Sequence, residues 1–469
     1  MNFLKKLTPF TLPFLLAACG NDDLDTSSLK SPDVYEFSSR TNSSTPSSVD
    51  NKEVTTRLIL IKELDYLIGS GHLQSIGQSV GKQGVIDLLN RIYEGGSSSL
   101  KTSNLYDSST TATPINGITT ELDTLQTDFS SLPSGVNLQS KMPGANSDLI
   151  YRDSEDSTQG NLIGWGLTGI LYEDEDELSD HMIQAWFTSI ANLVIDNPET
   201  TIYRINALDY QALVTSFLST SLPYFQVTKL LLNPEEGLKV SNVSEEQYTD
   251  LQHNWDLAFA YFGASDHYKL NSKLINATAN GLDNNGDERI DLFTEYNFIH
   301  AKTAASLDNV TILADTNFSQ IIMQAFLDGR QLIDEHITTG DDELLSQVNI
   351  QARIICKNWE RAIAAQLIHH LNLSSQYISF FGQTSFLDAA YAKNWAYAKT
   401  YAIALQFNPN SIITFDELTE IESGSIHALM TQTPETRAGN LNSYRIKLLT
   451  ARDKIASIYN FSETNTLNW

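Results

Sequence analysis

The stretch from Asp283 to Asp291 places oxygen-bearing side chains at regular intervals. Asp283, Asn285, Asp287 and Asp291 take positions 1, 3, 5 and 9 of a loop, and the main-chain carbonyl of Arg289 stands at position 7. Carboxylate, amide and carbonyl oxygens with this spacing can surround a hard cation, which takes about six to eight oxygen ligands. The pattern therefore predicts a Ca²⁺ site, and a single loop of this kind indicates a structural role for the ion.

The loop departs from an EF-hand-type sequence at two positions. Glu288 stands at position 6, where glycine normally makes the sharp turn, and Thr294 stands at position 12, where a carboxylate is expected. Glu295, one residue later, offers the missing carboxylate at a shifted angle. The alternative interpretation is an Asx-rich turn between two helices, for which the Asn-Gly pair and the aspartates are sufficient.

A second pair of residues, His253 and Asp256, is spaced for chemistry on a helix. Side chains at i and i+3 lie on the same face, so this imidazole and this carboxylate can reach the same point. Such a pair can contribute ligands for iron or another transition metal, or it can share a proton. The alternative is a structural pair that orients the helix within a polar layer.

The remaining histidines and motifs give no further site. His369 and His370 are adjacent and cannot face the same way, and the single residues His267, His300, His336 and His427 are interpreted as surface or hydrogen-bonded histidines. The sequence has no Gly-rich phosphate loop, no Gly-x-Ser-x-Gly elbow and no His-Glu-x-x-His. Hydrolase and nucleotide chemistry are unsupported, no catalytic residue is assigned, and enzymatic activity stays an open question.

The N-terminus has the features of a secretion signal. Lys5 and Lys6 precede an apolar stretch at residues 12–16, which is too short to span a bilayer, and small residues lead to Cys19. This arrangement looks like a bacterial lipoprotein signal, in which the cysteine after the cut carries lipid. The prediction is a signal peptide over 1–18 and an acylated Cys19 with a flexible tether over 19–32. The alternative is an ordinary secreted protein with a chance cysteine.

Composition limits the partners that the surface can attract. Of the 469 residues, 30 are Lys or Arg and 57 are Asp or Glu, so the formal net charge is −27. Such a surface repels nucleic acid and anionic headgroups and favours cations and basic partners, although acidic surfaces also serve solubility alone. The chain has two cysteines, and lipidation of Cys19 leaves Cys356 without a disulfide partner. Cys356 lies in an apolar run, which favours a buried, inert thiol.

Apolar periodicity predicts an all-α fold. Helical patterns are predicted at about 58–68, 85–92, 182–194, 208–219, 245–262, 317–335, 343–372, 385–406, 415–422 and 442–459. Residues 97–160 predict loops and short helices, and β-prone residues at 34–37 and near Val49 predict a short β segment that leads into the domain. We expect two helical bundles, an N-terminal subdomain over 33–235 and a C-terminal subdomain over 236–469 that contains the calcium loop.

Several motifs together resemble a family of bacterial lipoproteins, domain of unknown function 4856. They are Thr55-Thr56-Arg57-Leu58, His253-x-Trp255-Asp256 continuing to Gly263, the Asp/Asn loop with Ile290-Asp291, Ala325-Phe326-Leu327-Asp328-Gly329-Arg330, Trp359-Glu360-Arg361-Ala362, and Ala404 to Pro409. The resemblance covers the chain from about Val34 to the C-terminus. Where that family often has a His-Trp-Ser-Glu-like stretch, this chain has Asn394-Trp395-Ala396-Tyr397. A histidine and a carboxylate are therefore missing, which puts any site that depends on them in doubt.

The stretch from His253 to Gly263 is also similar to a motif of imelysin-type proteins. These carry His-x-x-Glu before an aromatic and apolar run that ends in glycine, and here Asp256 replaces the glutamate. The resemblance implies an all-α protein of the periplasm or outer membrane that is associated with iron uptake. It also implies that His253 and Asp256 bind iron or another transition metal.

Three functional hypotheses follow. The first is an outer-membrane-anchored lipoprotein that binds a metal nutrient without catalysis, since Gly20 and Asn21 lack the aspartate that retains lipoproteins at the inner membrane. The second is a calcium-stabilised module that interacts with an envelope protein of unknown identity. The third is a metal-dependent hydrolase, for which no third ligand is visible. The sequence leaves open the ligand, the oligomeric state and the face of the membrane.

Overall fold

A computed structural model describes most of the chain. The described residues are 30–39, 47–107, 111–143, 179–197, 204–205, 208–243, 247–275, 280–309, 316–421 and 434–469. The predicted signal peptide, Cys19 and most of the predicted tether lie outside these ranges, as does His427. The predictions that concern them are therefore carried by the sequence alone.

The described residues confirm the all-α class. The helices are α1 (Lys52–Gly69), α2 (His72–Tyr93), α3 (Gly96–Thr102), α4 (Ser179–Asp196), α5 (Tyr210–Phe225), α6 (Asp250–Phe262), α7 (Tyr268–Asn271), α8 (Ile299–Asp308), α9 (Phe318–Thr339), α10 (Asp342–Tyr377), α11 (Ser385–Ala404), α12 (Phe415–Thr419), α13 (Pro434–Ile458) and α14 (Glu463–Asn468). The strands are β1 (Arg204–Ile205) and β2 (Leu208–Asp209), which pair antiparallel. Among the described helices, none has the length and apolar character needed to cross a bilayer.

Helix α6, which carries His253 and Asp256, is bounded by local signals. Thr249 and Gln252 form a capping box, in which each side chain accepts from the main-chain N–H of the other residue. Gly263 ends the helix with φ of 78°, and a Cβ at this position would lie 2.7 Å from Phe298 Cβ. Because a side chain here is excluded by both conformation and space, the glycine of the motif is needed for the helix end.

The long helix α10 is the centre of the packing. It lies against α9, α11 and α13, while α5 packs mainly on α11, and α2 packs on α4. The buried apolar residues form a hydrophobic cluster that extends from Tyr35 to Trp469. Since α5 precedes residue 236 and α11 follows it, the predicted boundary between two bundles does not divide the hydrophobic core.

The predicted β segment near the start of the domain is observed as a single bridge. Ser38 and Ser47 form an isolated antiparallel bridge, and the Ser48 N–H donates to the Phe37 carbonyl over 2.8 Å. The side chain of Tyr35 stacks on Phe259, with ring centroids 3.6 Å apart. The segment therefore contacts α6 by aromatic packing, and its strand pairing is limited to the one bridge within the segment.

Candidate functional site

The carboxylate of Asp283 organises the first half of the predicted calcium loop. Its Oδ1 accepts from the N–H groups of Gly286, over 2.7 Å, and Asp287, over 3.3 Å, and its Oδ2 accepts from the N–H of Glu288 over 3.0 Å. A carboxylate that holds three consecutive amides fixes the turn of the chain around itself. Asp283, which the sequence predicts to be the first ligand, is thus also the residue whose hydrogen bonds fix the turn of the loop.

Two further side chains of the loop make the same kind of local bond. Asn285 Oδ1 accepts from the Asp287 N–H over 2.8 Å, and Asp287 Oδ1 accepts from the Arg289 N–H over 2.9 Å. These Asx turns place the side-chain oxygens on the inner side of the curve, next to the main chain. The alternating oxygens of the sequence therefore lie along one bend.

The main chain is left-handed at Glu288, at position 6 of the loop. Its φ is 64°, and the other non-glycine residue with positive φ in the described ranges is Asn460, at 52°. Glutamate is not favoured in this region, because its Cβ approaches the following carbonyl oxygen. The chain thus adopts the sharp turn that glycine makes in loops of this type, although glycine is absent.

Glu295, and not Thr294, supplies the carboxylate that closes the loop. The residue is 4% exposed; its Oε1 accepts from the N–H groups of Asn284, over 2.9 Å, and Asn285, over 3.3 Å. Its Oε2 accepts from the Asp291 N–H over 2.9 Å. A turn in which the Glu295 N–H donates to the Asp291 carbonyl over 2.8 Å takes up the extra residue. Although Glu295 stands one residue beyond position 12, its carboxylate reaches the N–H groups of the loop.

The loop is also attached to the N-terminal half of the chain. Ile290, buried at position 8, forms a parallel bridge with Thr124: its N–H donates to the Asp123 carbonyl over 2.9 Å. The side-chain amide of Gln126 donates to Asp291 Oδ1 and accepts from the Leu292 N–H, both over 2.9 Å. This contact is not predictable from the sequence, because residues 123–126 carry no motif.

Within the described ranges, no three His, Cys, Asp or Glu side chains are grouped so as to hold a metal ion. A loop of this type also relies on amide and main-chain carbonyl oxygens, here those of Asn285 and Arg289. The side chains of Asp283, Asp287, Asp291 and Glu295 retain lone pairs beyond the hydrogen bonds described, since a carboxylate has about four acceptor sites. Binding of Ca²⁺ by this loop stays a prediction.

Asp256 lies in a buried charged cluster between α6 and α9. Its Oδ1 accepts from Arg330 Nε over 2.9 Å and from the Tyr35 hydroxyl over 2.8 Å, and the carboxylate has no exposed surface. Burial raises the pKa of Asp256, and the charge of Arg330 offsets part of this effect. Arg330 also pairs with Asp334 and donates to the Ser48 hydroxyl over 2.6 Å. Asp256 therefore forms a buried ion pair with Arg330.

His253 lies apart from that cluster. Its ring stacks on Tyr248, with centroids 4.7 Å apart, and its Nδ1 is buried without a hydrogen-bond partner among the described residues. No hydrogen bond or ion pair joins His253 to Asp256 in the described part of the chain. The structure therefore gives the two residues different surroundings, and their predicted role as metal ligands stays a prediction.

Glu360, at the centre of α10, has a buried carboxylate that no sequence pattern predicted. Glu360 Oε1 accepts from the Tyr459 hydroxyl over 2.8 Å and from the Ile412 N–H over 2.7 Å, and its Oε2 accepts from the Asn408 side chain over 2.8 Å. This network explains two of the motifs at once, because Glu360 belongs to the Trp-Glu-Arg-Ala run and Asn408 to the Phe-Asn-Pro run. The sequence feature that could have indicated this network is the glutamate in the Trp-Glu-Arg-Ala run, a charged residue among apolar ones in a predicted helix.

A cavity of about 270 Å³ between α1, α5, α8, α10 and α11 is lined in part by His370. The His370 Nδ1–H donates to Asn394 Oδ1 over 2.9 Å, and Gln366 Nε2 donates to His370 Nε2 over 3.1 Å. Burial lowers the pKa of His370 to about 3, so the imidazole is neutral. The ring of Tyr397 lies 4.8 Å from it. Positions 394 and 397, where the resemblance described from the sequence predicts a histidine and a carboxylate, thus both contact His370.

The buried His300 is likewise neutral. Trp359 Nε1 donates to His300 Nδ1 over 2.9 Å, and burial lowers the pKa of this imidazole to about 3. Cys356 is half-buried, and burial with the nearby charge of Glu360 raises its pKa to about 12. The thiol is therefore protonated at neutral pH, in keeping with the inert cysteine that the sequence predicts.

Comparison with known proteins gives no match. No protein-family model, no curated protein and no solved structure matches the chain. The resemblances described from the sequence motifs therefore stay predictions.

Proposed function

We propose that this chain is a lipid-anchored module of the cell envelope, non-catalytic, in which the loop from Asp283 to Glu295 binds one structural Ca²⁺. The anchor is proposed from the sequence that leads to Cys19, and one structural observation supports the calcium site. The carboxylates of Asp283 and Glu295 accept hydrogen bonds from six main-chain N–H groups of the same loop. The two outermost proposed ligands are therefore ordered by hydrogen bonds within the loop, which supports a Ca²⁺ site here.

The proposed ligands are the side chains of Asp283, Asn285, Asp287, Asp291 and Glu295 and the main-chain carbonyl of Arg289. The four carboxylates among these ligands lie within thirteen residues and repel one another, and a divalent cation would reduce that repulsion. The net charge of −27 increases the attraction for the cation. Charge and loop geometry thus favour the same ligand.

The ion would join two parts of the chain that are distant in sequence. Asp291 is a proposed ligand and also accepts from Gln126, and the neighbouring Ile290 pairs with Thr124. A cation that fixes Asp291 would therefore also fix residues 123–126 against the loop. This is the stabilising role expected of a single calcium loop in a secreted domain.

The alternative role, binding of a metal nutrient by His253 and Asp256, has less support. Arg330 already holds Asp256 through Oδ1, so a cation on Oδ2, which has no described hydrogen-bond partner, would lie beside the guanidinium, and the two positive charges would repel each other. His253 makes no contact with Asp256 that would prepare a shared site. We therefore prefer the interaction module, with a basic envelope partner, to the iron-related lipoprotein.

Calcium titration tests the loop. Purified protein treated with chelator should bind about one Ca²⁺ per chain by calorimetry, and addition of saturating Ca²⁺ should raise the melting temperature by a few degrees. Asp283→Ala should abolish binding. Glu288→Gln is the matched control, because it removes one exposed charge from the same loop at a position that is not a proposed ligand. Failure of the unaltered protein to bind Ca²⁺ would reject the proposal.

Elemental analysis of the same protein, purified without chelator and after loading with iron, separates the two metal hypotheses. Calcium without a transition metal supports the interaction module. Iron, zinc or copper retained in proportion to protein, and lost in His253→Ala, would support the metal-nutrient hypothesis instead.

Fractionation of cells tests the anchor. Cys19→Ser should move the protein from the membrane fraction to the soluble fraction, because the predicted acyl chains would be absent. Cys356→Ser is the control, since it removes the other cysteine and should leave the protein with the membrane. Recovery of the unaltered protein in the soluble fraction would contradict lipidation.

A further inference from the structure

A second and larger cavity lies on the outer side of α10, away from the calcium loop. Its volume is about 830 Å³, and its walls come from α10, the start of α9, and the segments 228–234 and 408–412. Cavities that hold small organic molecules typically have about 300–1,000 Å³. The space is therefore sufficient for a ligand of that class.

The charged residues that line this cavity are all basic. They are Arg353, Lys357 and Arg361, spaced four residues apart on α10, which places them on one side of the helix. No Asp or Glu is present in the described lining, although acidic residues outnumber basic ones 57 to 30 in the whole chain. The charge of this cavity is thus opposite in sign to the net charge of the chain.

Among the described residues, none forms an ion pair with these three cations. Arg361 donates to the main-chain carbonyl of Tyr459 over 3.0 Å and lies over the Phe461 ring at 5.1 Å, so it is held in place without a counter-charge. Arg353 and Lys357 are exposed and form no ion pair with any residue that the structure describes. Like charges one helical turn apart repel one another, so an anion between them would be stabilising.

A buried carboxylate, that of Glu360, is hydrogen-bonded to two residues of the cavity wall. Glu360 has no exposed surface, and its oxygens accept from Tyr459, Asn408 and the N–H of Ile412. Asn408 and Ile412 also line the cavity, so this network forms part of the wall and holds it in shape. The cavity is therefore supported by a fixed structure beneath the cations.

Apolar side chains form much of the remaining lining, beside the polar residues Thr228, Asn317, Asn358, Asn408 and Asn410. Leu232, Phe318, Ile321 and Ile412 line the cavity together with Ile350 and Ile354 of α10. Ile321 is an exposed large apolar residue, at 39% of its full accessible surface. Apolar surface beside a row of cations favours a molecule that is apolar at one end and anionic at the other.

We propose that this cavity binds a small amphipathic organic anion, with its carboxylate or phosphate group on Arg353, Lys357 and Arg361 and its apolar body against the isoleucines. The fork of a guanidinium suits both head groups, because it donates two parallel hydrogen bonds. The site is distinct from the calcium loop and does not depend on it.

Calorimetry with chemically matched probes tests the proposal. Decanoate, decyl phosphate and 1-decanol share the same apolar chain and differ in the head group. We expect one or both anions to bind once per chain and at least about tenfold more tightly than decanol, since one charge-assisted hydrogen bond corresponds to a factor on the order of ten. The tighter of the two anions identifies the preferred head group. Added salt should weaken binding of the anions and not of decanol.

Variants locate the site. The double variant Arg353→Gln/Lys357→Gln should weaken binding of the anions by about tenfold or more and leave decanol unchanged; both residues are exposed, so the fold should be retained. The control Lys82→Gln/Lys447→Gln changes the net charge equally at exposed positions outside the cavity and should bind as the unaltered protein does. The proposal is overturned if neither anion binds, if decanol binds as tightly as decanoate, or if both double variants bind alike.

Discussion

Arg330 and Asp256 form an ion pair in the interior, with 2.9 Å between Nε and Oδ1 and no exposed surface on either side chain. The guanidinium also pairs with Asp334, donates to Ser48, and lies over the Phe37 ring at 4.8 Å. One arginine of α9 thus connects α6 with the segment that leads into α1. The Arg of one sequence motif and the Asp of another are explained by a single structural contact.

Removal of Asp256 should destabilise the fold. Asp256→Ala leaves the Arg330 guanidinium with only one carboxylate and the Tyr35 hydroxyl without its acceptor, so we expect a loss of about 3–5 kcal/mol in the free energy of unfolding. Urea unfolding in the presence of a chelator measures it without any contribution from metal. The exposed Asp250→Ala, on the same helix, should cost less than about 1 kcal/mol. Equal stability of the two variants would contradict the structural role.

Replacement of Glu360 by its amide should also be costly. In Glu360→Gln an NH₂ group faces the donors of Tyr459, Asn408 and Ile412, and at least one of them loses its acceptor. A loss of about 2–4 kcal/mol is expected, because buried donors without acceptors retain their desolvation cost. Chemical denaturation measures the loss. Glu343→Gln, exposed near the start of the same helix, should be nearly neutral, and similar losses in both variants would refute the network.

Glycine at position 288 should stabilise the protein. Because the φ of Glu288 is 64°, Glu288→Gly relieves the crowding of a Cβ in the left-handed region and should gain about 1 kcal/mol. Asn460→Gly provides the comparison: its φ is 52°, but asparagine tolerates this region, so the gain should be smaller. Thermal and urea unfolding of both variants measure the difference. If Glu288→Gly is destabilising, the loop does not have the conformation described.

The buried histidines should make the protein sensitive to mild acid. The pKa of His370 is lowered to about 3 in the folded state, whereas an imidazole in the unfolded chain titrates near 6.5. Below pH 6.5 the unfolded chain gains a proton that folded His370 does not take until about pH 3. Stability is therefore lost as the pH falls through this interval, by about 2 kcal/mol per such histidine between pH 7 and 5.

Substitution of His370 should remove its share of this pH dependence. Between pH 7 and 5, His370→Gln should lose about 2 kcal/mol less stability than the unaltered protein does. Urea unfolding at several pH values measures the slopes. His181→Gln, at an exposed position, should keep the original slope. An unchanged slope in His370→Gln would show that this imidazole is not held neutral.

The sequence by itself determined the features that depend on neighbours along the chain. Apolar periodicity predicted the all-α class, and the predicted helices overlap those observed, although α1, α2 and α13 begin well before the predicted residues and α5 extends to Phe225. The alternating oxygens of Asp283, Asn285 and Asp287 predicted a loop whose hydrogen bonds are made within five residues. Such contacts are encoded locally, because the atoms that meet are separated by only a few bonds.

Tertiary structure alone decided which distant residues meet. Asp256 was expected beside His253, three residues away, but its partner is Arg330, 74 residues along the chain. Likewise Gln126 contacts Asp291 across 165 residues, and Arg361 is fixed by Tyr459 across 98. The contacts of Arg330 and Arg361 follow from how α6, α9, α10 and α13 pack. That packing depends on the apolar faces of all the helices together. A pattern of spacing in one helix cannot show which side chain of another helix will neutralise a buried charge.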